Sequence, residues 1–323
     1  MSKKYIKNIA IVGAGGQSGK FIVSALLEKK AFNITALSRA DSSSTPPSDV
    51  HVATVDYDKP DTLVSALKNQ DALIITMSVR APPGQQAKLI EAAAKAGVPW
   101  VLPNEFGGNT DNQAGADTGI AIPKRKDRKL IEELGVSSWI GIVTSFWYEY
   151  SLAGPSLYGI DIANRKVLWF DDGKQRIRTS TWPQVGRAVA NLLALPIKAE
   201  EGDGQGVALE SYRNKFVNIS SFTLNQREML DSVQRVTGTT DADWKMESTT
   251  AKERFDSGRK RMAEGDRIGF AHALYSRYFF PGETAGLYEL DNEKLGLPEE
   301  DLDEYTKQSV TMAESGYFKS LFG

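Results

Sequence analysis

Residues 9–27 read I-A-I-V-G-A-G-G-Q-S-G-K-F-I-V-S-A-L-L. An apolar run of strand length meets a cluster of glycines, and an apolar helical pattern follows at once. A strand that turns over glycines into a helix is built to hold phosphate, because the free N–H groups of the helix start face an anion. The mononucleotide loop G-x-x-x-x-G-K-[ST] is broken twice: Ala14 stands where its first glycine belongs, and Phe21 replaces the hydroxyl that would hold magnesium. The dinucleotide fingerprint G-x-G-x-x-G also fits imperfectly, since counting from Gly13 and Gly15 puts Ser18 in the last place. The spacing that fits is G-x-x-G-x-x-G, with Gly13, Gly16 and Gly19. Gly13 permits a tight exit from the strand and Gly16 a close backbone approach to a pyrophosphate held around Gln17 and Ser18. Gly19 lets the helix pack on the sheet. The bland alternative is a glycine-rich turn that holds nothing.

Outward from this turn, strand and helix signals alternate. "NIAIVG" leads to a helix over about 17–30 and then to strand "NITALSR". "VATVD", "DALIITMSV", "PWVLPNEFG" and "SSWIGIVTS" follow as strands, with helices over about 61–68 and 84–96 and a helix opened by Pro123 and stopped at Gly135. Buried strands alternating with helices of this length predict a Rossmann-type α/β fold, a doubly wound parallel sheet. After about Phe146 the rhythm changes. "KVLWFDDGKQRIRTSTW" reads as a hairpin around Asp172-Gly173, "GRAVANLLALP" as a short helix, "KFVNIS" as a strand, and 224–238 and 252–280 as further helices. The expected plan is a dinucleotide domain over 1–150 and a smaller α+β substrate region over 151–323. Segments near 180–220 are expected to pack back on the first sheet.

The composition narrows the function classes. The 323 residues are 41% hydrophobic and 25% charged, with a net charge of -2, so no strong field draws the chain to nucleic acid or to an anionic membrane. There are no cysteines, which excludes disulfides, thiolate nucleophiles and cysteine metal sites. The start "MSKKYIKNIAIVGAGG" reads as a first core strand rather than a signal peptide, and a cytoplasmic location is expected. Asn33 and Asn218 open N-x-[ST] matches inside expected strands and read as chance. His51 and His272 stand far apart without companions, so no metal site is expected.

The second strand ends in Ser38-Arg39 where an NAD enzyme would place an acid for the ribose hydroxyl. One hydroxyl and one fixed cation suit a 2′-phosphate, so NADPH/NADP is the expected cofactor. Asp41 comes slightly late to be the ribose acid, and Arg39 can also be read as a plain solvated side chain. Ligands of such sheets lie beyond the strand carboxyl ends, here Thr76-Met77-Ser78, Asn104-Glu105-Phe106 and Thr144-Ser145-Phe146-Trp147.

Short-chain reductases pair a tyrosine with a lysine four residues on, and no tyrosine of this chain has that partner. The nearest equivalent is Ile120-Ala-Ile-Pro-Lys124, which keeps the lysine without the phenol. "GAGGQSG", "LSR", "LPNEFG" and "KRKDRKLIEELGV", in that order, resemble the isoflavone-reductase-like and NmrA-like branch of the atypical short-chain dehydrogenases. The resemblance covers roughly the first 200 residues.

It implies an NADPH-dependent reductase in which Lys124 is the general acid/base, with Lys126 as the fallback if the register is off by half a turn. It also implies that Phe146 packs around the nicotinamide. A lysine in a closed cleft loses hydration and can exchange a proton near neutral pH. Read without the family, Lys124, Arg125, Lys126, Arg128 and Lys129 could equally be a solvated helix face. The rings Phe146, Trp147, Tyr148 and Tyr150 and the segment 277–282 suggest an aromatic or phenolic substrate, although each ring singly reads as core. The rival expectation is a non-catalytic dinucleotide sensor acting on a protein partner, a role that NmrA-like proteins take. A weaker third option is an isomerase or dehydratase that uses the cofactor without net turnover.

Overall fold

The computed structural model describes residues 4–42, 44–78, 81–199, 207–284 and 286–318. Six parallel strands arise in the first half: β1 (Asn8–Val12), β2 (Asn33–Arg39), β3 (His51–Val55), β4 (Ala72–Ile75), β5 (Trp100–Leu102) and β6 (Ser138–Val143). Between them run α1 (Gly19–Glu28), α2 (Pro60–Leu67), α3 (Gln85–Ala96), α4 (Gln113–Asp117) and α5 (Ala121–Leu134). Pro60 opens α2, and α3 and α5 stop where Gly97 and Gly135 turn left-handed at φ 77° and 66°.

The second half supplies β7 (Phe146–Trp147), α6 (Tyr148–Ala153), β8 (Ile160–Asp161), β9 (Lys166–Phe170), β10 (Ile177–Ser180) and α7 (Trp182–Ala194). It continues with β11 (Lys215–Asn218), β12 (Phe222–Leu224), α8 (Gln226–Thr237) and β13 (Lys245–Thr249). Helices α9 (Ala251–Ala263), α10 (Arg267–Tyr278) and α11 (Leu302–Glu314) complete it.

The main sheet has seven parallel strands in the order β11-β6-β5-β4-β1-β2-β3. The chain therefore winds outward in both directions from β1 and β4, and the strand order reverses between them. That junction is where sheets of this kind bind ligands. Alternation along β1 explains the layering. Ile9 and Ile11 join a core with α1 and α7, while Ala10 and Val12 join the opposite core with Leu63, Leu89 and Ile131. Because both faces are covered, the inner strands β1, β4, β5 and β6 are buried almost throughout rather than on alternate residues. Helix α7 and strand β11, both beyond residue 150, belong to this Rossmann unit: α7 packs against α1, and β11 pairs with β6.

A third core, built on Tyr148, Tyr158, Phe170, Met229 and Phe279, fills the remaining region. Around it stand two small sheets, β12-β10-β7 and β13-β9-β8. The expected hairpin around Asp172-Gly173 does not form. A turn is present, with Gly173 N–H donating to Phe170 O at 3.0 Å, but the strands on either side of it part into different sheets. Strand β9 is taken by β13 and β8, and the Phe170 N–H goes to Gln226 Oε1 at 2.7 Å. Strand β10 is taken by β7 and β12, which leaves the two nothing to exchange.

Candidate active site

The glycine turn sits at the sheet's reversal point. Gly13 has φ 82°, and a Cβ there would stand 2.2 Å from Thr76 O, so only glycine fits between the ends of β1 and β4. A Cβ on Gly19 would stand 2.0 Å from Gly13 O, which is how closely α1 begins against the turn. Gly16 N–H donates to Gly13 O at 2.9 Å and closes the loop. Thr76 pins the two strand ends through its hydroxyl, which donates to Val12 O at 2.7 Å. Ser18 stands at the N-cap of α1 without spending its side chain on the helix.

A cavity of about 420 Å³ opens over this turn, a size suited to part of a cofactor. Gly13, Gly16, Ser38, Arg39 and Thr76 all line it, whereas Gln17, Ser18 and Gly19, next in the chain after Gly16, are not among the lining residues. Asp41 reaches Arg39 at 3.5 Å, but both side chains are at least half exposed, and such a pair contributes little and yields readily to a ligand. Among the lining residues that escaped sequence reading are Ser42 and Ser44, which fold over the turn, and Tyr57, whose burial raises its pKa. The serine run "DSSS" was a visible signal for the first two, whereas nothing near Tyr57 marked it.

The basic run of α5 divides by face. Lys124 and Arg128, four residues apart, point inward together, and Lys126 and Lys129 are exposed. The Arg128 guanidinium is buried against Glu105 from the end of β5, contacts Asp111, and donates to Thr110 Oγ1 at 2.7 Å. Arg125 joins the same anchor, reaching Asp111 at 3.0 Å and Thr110 O at 2.8 Å. One turn before Arg128, the Lys124 ammonium lies 3.8 Å from where a Cβ on Gly107 would stand. Burial holds the Lys124 pKa below the ordinary lysine value; Glu105 works against that shift and Arg128 reinforces it. The inward lysine is therefore Lys124 and not Lys126.

Gly107 also ties this lysine to β6, accepting from Thr144 and Ser145 N–H at 3.0 and 3.1 Å. Ser145 holds φ 57°, a conformation that costs a non-glycine residue free energy and often marks a working position. The next ring, Phe146, is only 8% exposed: it stacks on Tyr275 at 4.5 Å and meets Tyr158 and Tyr278 edge-on. It is not among the residues lining the cavity, so any contact with a cofactor runs through that small exposed edge. Among the described residues no helix is long and apolar enough to cross a membrane.

Known proteins resemble this chain in sequence and fold. A profile of the NmrA-like family matches residues 6–157. Oxidoreductase aprR of Aspergillus flavus is 30% identical over 307 residues, covering 92% of this chain and 96% of that protein. Among solved structures, an isoflavone reductase superposes with a TM-score of 0.72 at 22% identity, covering 94% of this chain and 99% of its own. The AtPrR2 structure with NADP⁺ and (+)pinoresinol superposes with a TM-score of 0.71 at 19% identity, covering 95% and 99%. With the glycine cradle at the reversal point and a full-length relative at this identity, the chain belongs to the NmrA-like family.

Proposed function

We propose that this protein reduces a C=C or C=O bond of a small aromatic or phenolic compound, with Lys124 as the general acid/base. It is an NADPH-dependent oxidoreductase of the isoflavone-reductase-like type. The similarity to oxidoreductase aprR and to the AtPrR2 structure with NADP⁺ supports the class and the cofactor. The observation that carries the proposal is the single inward lysine of α5, half-buried beside Gly107 near the carboxyl ends of β5 and β6.

The cradle fits the cofactor. Gly13, Gly16 and the backbone of Gln17 and Ser18 would take the pyrophosphate, with Gly19 keeping α1 close. Ser38 and Arg39 would take the 2′-phosphate, and Thr76 would form the floor between the strand ends. Phe146 would support the nicotinamide end through its stack on Tyr275. Bound NADPH supplies the hydride. The remaining work is the protein's own: the lowered pKa of Lys124 makes its ammonium a stronger acid than an ordinary lysine and so a better proton donor, and the anchor of Arg128 on Glu105 keeps it aimed. On this proposal residues 1–150 together with α7 and β11 form the dinucleotide unit, and the remaining segments bind substrate.

The test is calorimetric titration with NADPH, NADP⁺, NADH and NAD⁺. NADPH is expected to bind at least tenfold tighter than NADH, and Arg39→Ala is expected to erase that preference. Binding of the oxidised forms in preference to the reduced ones would favour a redox sensor, and no binding would leave the glycine turn without a ligand.

A further inference from the structure

Strand β10 runs parallel to β7, with Thr179 opposite Phe146 and Ser180 opposite Trp147, so Arg178 stands level with Ser145. Ser145 is the residue whose N–H meets Gly107 O, beside the Lys124 ammonium. Its hydroxyl lies 3.2 Å from the Tyr288 hydroxyl. Tyr288 in turn holds Arg178: the guanidinium donates to Tyr288 O and lies 5.4 Å from the centre of its ring. A cavity of about 10 Å³, room for about one oxygen atom, opens between Ser145, Arg178, Tyr278 and Leu287.

Of the charges around that cavity, all but one are matched. Arg176 reaches Glu228 at 2.7 Å, and Glu283 is paired with Arg277, which also reaches Asp117 at 2.7 Å. Arg178 forms no ion pair among the described residues, and its Nε is buried without a hydrogen-bond partner. Burial lowers its pKa, yet a guanidinium stays charged in any protein environment. A half-buried cation with an unmatched donor costs free energy unless something arrives to pair with it.

We infer that Arg178, with the hydroxyls of Ser145 and Tyr288, receives an anionic oxygen of the substrate, either a carboxylate or an ionised phenol or enol. The inference rests on the reductase proposal and narrows its substrates to acids. The guanidinium binds the anion, and the hydroxyl of the Ser145–Tyr288 pair whose proton is not spent on its neighbour donates to it, which anchors the molecule beside Lys124. Because the anchor stands on a strand of the second region, substrate would bridge the two halves of the protein.

The test is titration of the NADP⁺-loaded protein with benzoate, with 4-nitrophenolate and with the neutral isostere benzamide. At least one anion is expected to bind tenfold or more tighter than benzamide. Arg178→Met is expected to abolish that discrimination while leaving NADPH affinity unchanged. Arg178→Lys keeps the charge but loses the fork, so it should retain part of the discrimination. Benzoate alone gaining would assign a carboxylate substrate, and 4-nitrophenolate alone a phenol or enol. Equal binding of all three probes, binding of neither anion, or discrimination that survives Arg178→Met would overturn the inference. If the native protein takes up no dinucleotide, the reductase proposal falls, and the same comparison on the bare protein decides Arg178 separately.

Discussion

The Arg128 guanidinium and the Glu105 carboxylate meet inside the protein with side chains only 6% and 1% exposed. The rings of Trp139 and Phe216 cover the cation at 5.0 and 4.9 Å. The pair locks α5 onto the end of β5 and so fixes where Lys124, one turn earlier, points. Removing one partner strands the other charge, which costs far more than an exposed pair could return. Glu105→Gln is therefore expected to lose on the order of 3 kcal/mol in urea unfolding. Glu105→Gln combined with Arg128→Met, which removes both charges, should recover part of that loss. A single variant as stable as the native protein would mean that Asp111 alone is enough for Arg128.

Lys124→Met separates chemistry from folding. Turnover should fall by roughly 10²–10⁴-fold, the usual contribution of a positioned acid or base. NADPH affinity should weaken by no more than about a hundredfold, the loss of one charged hydrogen bond. Stability should move the other way. The Lys124 pKa is lowered in the folded protein, so the unfolded chain binds more protons between that value and 10.5, and stability rises with pH across that window. The methionine variant should therefore melt higher than the native protein near neutral pH, with the gain fading as pH climbs toward 10.5. Calorimetric melts at pH 7 and 10.5 check it, and a variant that melts lower at pH 7 would remove the case for a strained lysine.

The glycine turn makes different demands at different positions. An alanine at Gly19 would drive its Cβ into Gly13 O at 2.0 Å, a backbone atom that cannot swing aside. Gly19→Ala should cost about 1–3 kcal/mol of stability as α1 is pushed off the turn. At Gly16 the same Cβ would meet Gly13 O at 3.0 Å, which a shift of a few tenths of an ångström relieves. Gly16→Ala should fold almost normally yet lose dinucleotide affinity, since it fills the approach to the pyrophosphate. Urea unfolding alongside NADPH titration separates the two; equal effects on both readouts would mean that the turn serves the fold alone.

Much of this was legible because it is local. The turn at Gly13, the apolar strands and the stops at Gly97 and Gly135 are properties of neighbouring residues, and a spacing of four puts Lys124 and Arg128 on one helix face. What stayed hidden depends on partners far along the chain. Nothing around Asp172 shows that β9 will pair with β13, more than 70 residues later, instead of folding back on β10. Arg178 looks like any arginine in "KQRIRTS" until β10 lies beside β7 and Tyr288 closes over it. Glu105 was visible as part of a strand end, but its role depends on a cation arriving from α5.

Glu149 offers a last test, in the seam between the two halves. Its carboxylate is fully buried at the start of α6 and accepts from Trp182 N–H, the first residue of α7, at 3.1 Å. Burial, reinforced by the nearby Glu300, lifts its pKa to about 8 from 4.5, against the pull of the Trp182 hydrogen bond. The folded protein therefore holds a proton that the unfolded chain releases between these values. Glu149 thus supports folding fully below pH 4.5, and that support is lost as pH rises through about 8. Glu149→Gln keeps an acceptor for Trp182 and removes the titration. Its unfolding free energy should fall less steeply than the native protein's from pH 5 to 9, and at pH 9 it should be the more stable of the two. The gap should be on the order of 1.4 kcal/mol for each pKa unit by which the carboxyl is displaced. Urea unfolding at pH 5, 7 and 9 measures it directly. Parallel pH profiles for the two proteins would show that water reaches Glu149 and that the seam opens where the buried carboxyl requires it closed.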